Sequence, residues 1–151
     1  MKRLKTFLIA LFLLFPALSW GVASVVTVTY GSVNTEVSTI TWTWAANSDD
    51  GTVTSTACSS FKGWVFMGVV DPVAGPPQAS YDIVLNDSDS ADIFGGQFVD
   101  LSQTVSAQAV PKIGTSYYGP RFINGILTMV LTGNNVGTAT GILKIYYYRA
   151  H

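Results

Sequence analysis

The chain has 151 residues, 48% of them hydrophobic and only 11% charged, about half the charge of an average soluble domain. One Cys, one His and a single Glu stand against abundant Thr, Ser, Val, Gly and Tyr, a composition poor in the side chains that usually do chemistry. Eight basic and nine acidic residues leave a net charge of −1, which excludes both a basic field able to hold nucleic acid and an acidic tail.

Lys2, Arg3 and Lys5 precede an apolar run over 7–20, after which Gly21, Val22 and Ala23 supply small residues where a signal peptidase needs them. Residues 1–23 therefore read as a signal peptide or hydrophobic N-terminal segment, with cleavage expected after Ala23. The run falls short of the roughly 20 residues of a membrane span and carries Pro16. An uncleaved anchor is the alternative, because 22–28 extend the apolar stretch, and it is the one way this chain would engage a membrane. Without Lys2, Arg3 and Lys5, five of the eight basic residues face nine acids, for a formal charge of −4. Residues 24–151 are expected to form a single β-sandwich domain, large enough to bury a core without cross-links. Cys58 has no partner in the chain, and a buried small apolar residue is its expected role.

Alternation of period two, broken by Gly, Asn, Asp and Pro, recurs along the rest of the chain. It is clearest over 38–44, where Ile40, Trp42 and Trp44 share one face and Thr39, Thr41 and Thr43 the other. Further strands are predicted over 25–30, 52–57, 64–70, 81–85, 126–132 and 141–149, seven or eight in all. The stretch 64–70, apolar on both faces, predicts a central strand buried on each side. Asn47-Ser48-Asp49-Asp50-Gly51 and Gly133-Asn134-Asn135-Val136-Gly137 predict two antiparallel hairpins. Residues 71–77 read as a stiff Pro-rich surface loop, and 98–120 as mostly loop. No helical spacing is sustained after the N-terminal segment, and no repeat of 20 to 50 residues stands out. The prediction is an all-β fold, an antiparallel β-sandwich of jelly-roll or Ig-like type.

Few arrangements point to chemistry. The only His is the terminal His151, so a triad or a His-ligated metal would need an ordered chain end. The carboxylates are turn aspartates plus Glu36, and turn aspartates normally cap local backbone groups; no catalytic residue is assigned. Asn86-Asp87-Ser88-Asp89-Ser90-Ala91-Asp92 offers oxygens at alternate positions, as a calcium loop does. It lacks the Gly and Glu of an EF-hand at the sixth and twelfth positions, which hold Asp92 and Phe98. Calcium at Asp87, Asp89 and Asp92 is thus set against an Asp- and Ser-rich turn without metal, and no other cofactor is expected. Tyr146-Tyr147-Tyr148 must occupy both faces of the last strand, so Tyr146 and Tyr148 are the candidate binding residues if their face is open, against packing in the core.

The segment Tyr81-Asp82-Ile83-Val84-Leu85-Asn86-Asp87-Ser88-Asp89-Ser90-Ala91-Asp92-Ile93-Phe94-Gly95-Gly96, preceded by a Pro-rich loop and by Trp42-Thr43-Trp44 before a turn, resembles small β-rich virion structural proteins, of decoration type, from tailed bacteriophages. The ending is similar too: Gly119-Pro120 before an apolar strand, then Gly133-Asn134-Asn135, Ala139-Thr140-Gly141 and a closing strand ending in tyrosines and Arg149. The resemblance covers residues 38–149, and its motifs are turns and strands rather than catalytic signatures. It implies a non-enzymatic β-domain carried in many copies on a capsid or tail, a homo-oligomer with protein partners and no nucleic acid. An export signal departs from that pattern, since virions assemble in the cytoplasm; the start is then either an arm retained in assembly or the mark of a secreted relative. The alternative function is a secreted or envelope-associated binding module that recognises a glycan or protein. An enzyme requires Asp82, Asp87, Asp89 and Asp92 to converge in a cleft.

Overall fold

The computed structural model describes residues 21–150. Most of the expected signal segment 1–23, and His151, therefore lie outside the described residues. Val22 is tied to the turn after the second strand: its N–H donates to Ser48 Oγ (2.8 Å) and its carbonyl accepts from Ser48 N–H (3.0 Å).

The described residues form nine strands and no helix: β1 Val25–Ser32, β2 Val37–Ala45, β3 Thr56–Ala57, β4 Phe61–Asp71, β5 Asp82–Asn86, β6 Ala107–Ala109, β7 Arg121–Gly125, β8 Thr128–Thr132 and β9 Thr140–Arg149. One antiparallel sheet runs β1-β2-β9-β4-β6 with β7 also on β4, and a second runs β3-β8-β5. The pairs nest. β2 lies on β9, β3 on β8 and β4 on β6 and β7, while β5 is matched by residues 98–101, where Ile83 N–H donates to the Phe98 carbonyl and Leu101 exchanges bonds with Ser80 and Tyr81. From β2 to β9 the chain is thus one long antiparallel ribbon with its apex near residues 87–97, wrapped so that its successive paired segments alternate between the sheets. That is the jelly-roll solution to closing a β-sandwich, and it decides between the two predicted topologies.

Nested pairing overturns both predicted hairpins. The 47–51 turn does not pair β2 with β3, because β2 is already held on its two sides by β1 and β9; the chain crosses to the second sheet, and the predicted strand 52–57 shrinks to Thr56–Ala57. The 133–137 turn likewise links β8 and β9, which lie in different sheets. The turn residues serve the ends of the sandwich instead. Asp50 Oδ1 accepts from Thr52 N–H and Oγ1 (2.9 and 2.7 Å), bonds that hold its carboxyl below its ordinary pKa. Asn134 donates to the Gly51 carbonyl (2.6 Å) and accepts from Gln78 N–H (2.9 Å), joining the two crossover turns to the Pro-rich loop.

Ile40, Trp42 and Trp44 of β2, Val65 and Val70 of β4 and Leu143 and Ile145 of β9 bury their side chains against Ile83, Leu85, Met129 and Leu131 of the smaller sheet. Trp42 Nε1 donates to the Thr56 carbonyl (3.1 Å), a polar tie between the layers. Two glycines make room for rings to lie on the sheet: a Cβ at Gly68 would collide with Phe94, and one at Gly141 with the indole of Trp44. Cys58 is buried as expected and free, with Leu127 N–H donating to its Sγ (3.3 Å); burial pushes its thiol pKa up, which keeps it inert.

Tyr81 is fully buried with its ring 6.3 Å from that of Trp44, and its hydroxyl has no partner. Burial, reinforced by the charge of Asp71, pushes its pKa up to about 12. An unfolded tyrosine titrates near 10, so the stabilisation tied to this proton is whole below pH 10 and is lost as the pH climbs towards 12. Tyr81→Phe should leave stability at neutral pH unchanged or raised, because an unbonded buried hydroxyl is removed, and should flatten the alkaline limb of a denaturation profile; an unchanged limb would show that another group governs it. Trp44→Ala should lower the unfolding free energy by about 3–5 kcal/mol in urea titrations.

Candidate functional site

Chemistry-bearing side chains are scattered, whereas one surface is concentrated. β4 carries a bulge: Val65 faces Tyr147 and Met67 faces Tyr146, leaving Phe66 as an extra residue. Gly63 and Val65 point inward before it and Gly68 and Val70 after it, so the buried phase switches from odd to even. Trp64, Phe66, Met67 and Val69 consequently share the outer face. This corrects the prediction of a strand buried on both sides: β4 is central in its sheet, but one face is covered, and Trp64 remains 47% exposed.

The registers carry this face across the sheet in rows. Thr29, Thr41, Lys144 and Val69 form one; Thr27, Thr43, Ile142 and Asp71 another; Gly31, Thr39, Tyr146 and Met67 a third; Val37, Tyr148, Trp64 and Phe122 a fourth. The predicted binding residues Tyr146 and Tyr148 therefore do meet, on the open side. Phe66 stacks on Tyr148 (centroids 4.7 Å, 29°) and lies 6.3 Å from Tyr146, and Trp64 packs on Phe122 (5.1 Å, 55°). Tyr147 points the other way, onto Phe61 at 4.8 Å beside the core. Aromatic pairs of this kind contribute beyond their buried area, which holds the patch as a fixed surface.

Opposite the bulge the partner strand is interrupted. β6 pairs with Gly68–Val70 and β7 with Phe61–Val65, both antiparallel on the same strand, so β6 and β7 are collinear and residues 110–120 are an excursion from one interrupted strand. The excursion is a small hairpin: Ile113 N–H donates to the Tyr117 carbonyl (2.9 Å), Gly119 N–H to the Pro111 carbonyl (2.8 Å), and Lys112 bridges to Tyr118. It presents Val110, Ile113, Tyr117 and Tyr118 to solvent, Tyr117 being 73% exposed. Between it and the aromatic patch lies an open groove of ≈ 630 Å³, lined in part by Trp64, Phe122, Ile113, Lys112, Arg121 and Asp92. The sequence carried a signal for this feature, the Tyr117-Tyr118 doublet in a segment bounded by Pro111 and Pro120, but nothing in its alternation distinguished a projecting hairpin from a plain loop.

The aspartates at the ribbon apex act on backbone groups. Asp87 Oδ1 accepts from Asp89 and Ala91 N–H (3.0 Å each), and its Oδ2 pairs with Arg121 Nη2 at 2.6 Å. Asp92 accepts from Phe94 N–H (3.0 Å) and Gly96 N–H (2.6 Å), and Asp82 from Asp100 N–H (2.8 Å). Asp89 is exposed in the same turn. Among the described residues no three His, Cys, Asp or Glu side chains lie together as a metal-binding group. The carboxylates of 82, 87 and 92 thus fasten separate stretches of backbone, and Asp87 couples the apex turn to β7. Asp87→Ala should therefore lower the unfolding free energy by about 1–3 kcal/mol, the range for charged hydrogen bonds, with hydrogen exchange accelerating first at Asp89 and Ala91; protection unchanged there would contradict this role.

No protein-family profile and no curated protein matches the chain. A solved structure similar to it is the "Cyanophage Pam1 capsid asymmetric unit", 16% identical, with 89% of this chain and 91% of that chain covered and a TM-score of 0.42.

Proposed function

We propose that this chain is a non-enzymatic assembly protein, a component of a phage virion that decorates its capsid or tail through many copies of one protein–protein contact. The observation that carries the assembly reading is the outer face of the large sheet. Its rows are paved with Thr and aromatic side chains and hold few charges, and the exposed Trp64 and Phe122 line one groove with Ile113 of the 110–120 hairpin, which also exposes Tyr117 and Tyr118. Charge depletion with aromatic enrichment is the composition of an interface centre, and apolar side chains grouped on one surface mark interaction sites. The virion setting rests on the likeness of residues 81–96 and of the closing strand to phage structural proteins, and on analogy with jelly-roll capsid domains.

The groove supports a second reading, the secreted or envelope-associated binding module. Trp64 and Phe122 beside Lys112 and Arg121 combine a stacking surface with polar groups, as a glycan or protein site requires.

Proteomics with N-terminal mapping of purified particles, cell envelope and cell-free supernatant separates them. Stoichiometric recovery in particles is expected, and an intact Met1 there would make the N-terminal segment an assembly arm. Recovery confined to envelope or supernatant, beginning near Ser24, would sink the virion reading and leave the binding module.

A further inference from the structure

We infer that the free edge of β1 is a self-pairing interface, and that its occupant is β1 of a second copy, joined antiparallel about a two-fold axis at Val28. A sheet edge offers unpaired N–H and C=O groups, and proteins normally blunt it with charge, proline, shortness or a covering segment. Every other edge here is treated so. β3 has two residues and β6 three; β7 has five and begins with Arg121. β5 is covered by residues 98–101. β1 has eight residues, Val-Val-Thr-Val-Thr-Tyr-Gly-Ser, with no charge and no proline, and among the described residues it pairs only with β2.

The edge is also held rigid. Ser24 Oγ bonds to Thr54 Oγ1 (2.7 Å) and accepts from Thr54 N–H (3.1 Å) at its start, and the Tyr30 hydroxyl accepts from Ser59 N–H (2.5 Å) towards its end. Its inward face is only partly used: Val26 and Val28 pack at the border of the core, half-buried, and Tyr30 is 51% exposed. The smaller sheet has three strands against six, and none of its strands pairs with β1.

A second copy supplies what is missing, because the strand is self-complementary. A two-fold at Val28 sets Val28 opposite Val28 of the other copy, Val26 opposite Tyr30 and Thr27 opposite Thr29. These are β-branched, aromatic–β-branched and Thr–Thr pairs, the combinations that stabilise antiparallel neighbours. No charge meets a like charge, the contact closes on itself as an isologous dimer, and the two large sheets become one continuous sheet whose Thr rows run through the axis. The inference names a partner surface for the assembly reading above and rests on that reading only for its biological setting.

The full chain, Val28→Cys and Thr27→Lys/Thr29→Lys should be compared by light scattering over a dilution series, with thermal melts to confirm folding. Expected are a dimeric mass for the unaltered chain, at least a tenfold weaker association for the double lysine variant, and a disulfide-linked dimer of Val28→Cys on mild oxidation, since directly opposed residues lie at cross-linking distance. Thr43→Cys, exposed on the neighbouring strand, should stay unlinked, and the buried Cys58 is silent in both. A monomer at every concentration, or association without the Val28→Cys cross-link, overturns the inference; should the lysine variant fail to fold, the cross-link alone decides. A monomer recovered from virions would overturn the pairing and not the virion assignment, and a cross-linked dimer found only in the supernatant the reverse.

Discussion

One inserted residue in β4 sets the surface of this protein. Before Phe66 the strand buries its odd positions and after it the even ones, a change of phase that an unbroken β-ladder does not permit, because side chains alternate strictly across a strand. The bulge keeps Val65 and Val70 in the core while placing Trp64, Phe66 and Met67 together outside. On the neighbouring edge, the partner strand is broken at the same level into β6 and β7, with eleven residues projecting between them. Aromatic patch, hairpin and groove thus lie together at the level of one irregularity, in keeping with the frequency of bulges where a strand must re-aim its side chains.

The two faces of the large sheet obey different rules. Inside, Trp42 and Trp44 fill the space between the layers, and Gly68 and Gly141 accept rings that any Cβ would exclude. Outside, threonines line the β1–β2 half and aromatics the β9–β4–β7 half. Thr satisfies a pleated, half-exposed surface without charge, so the face stays compatible with water while costing little to desolvate. The acidic apex contrasts with it: the carboxylates of Asp82, Asp87 and Asp92 hold turns, and Asp87 also anchors β7 through Arg121.

Local chemistry in the sequence determined a good deal. The Ile40-Trp42-Trp44 and Thr39-Thr41-Thr43 alternation, the burial of Cys58, the strand over the closing tyrosines with Tyr146 and Tyr148 on one side, and the all-β class all follow from period-two patterning and residue size, which act between neighbours along one strand. The tertiary structure alone decided the pairing partners, and with them the two turns misread as hairpins: a turn motif specifies that the chain reverses, not that the reversing strands share a sheet. It decided the phase of β4 as well, since an apolar run over 64–70 reads the same whether both faces are buried or a bulge has moved one of them into solvent. The excursion at 110–120 was decided by the same interrupted pairing, and β1 shows the converse: its alternation was plain in the sequence, but whether its edge was covered depended on which strands the ribbon brought beside it. Contacts between residues far apart in the chain are set by how the whole ribbon closes, and no local pattern encodes that closure.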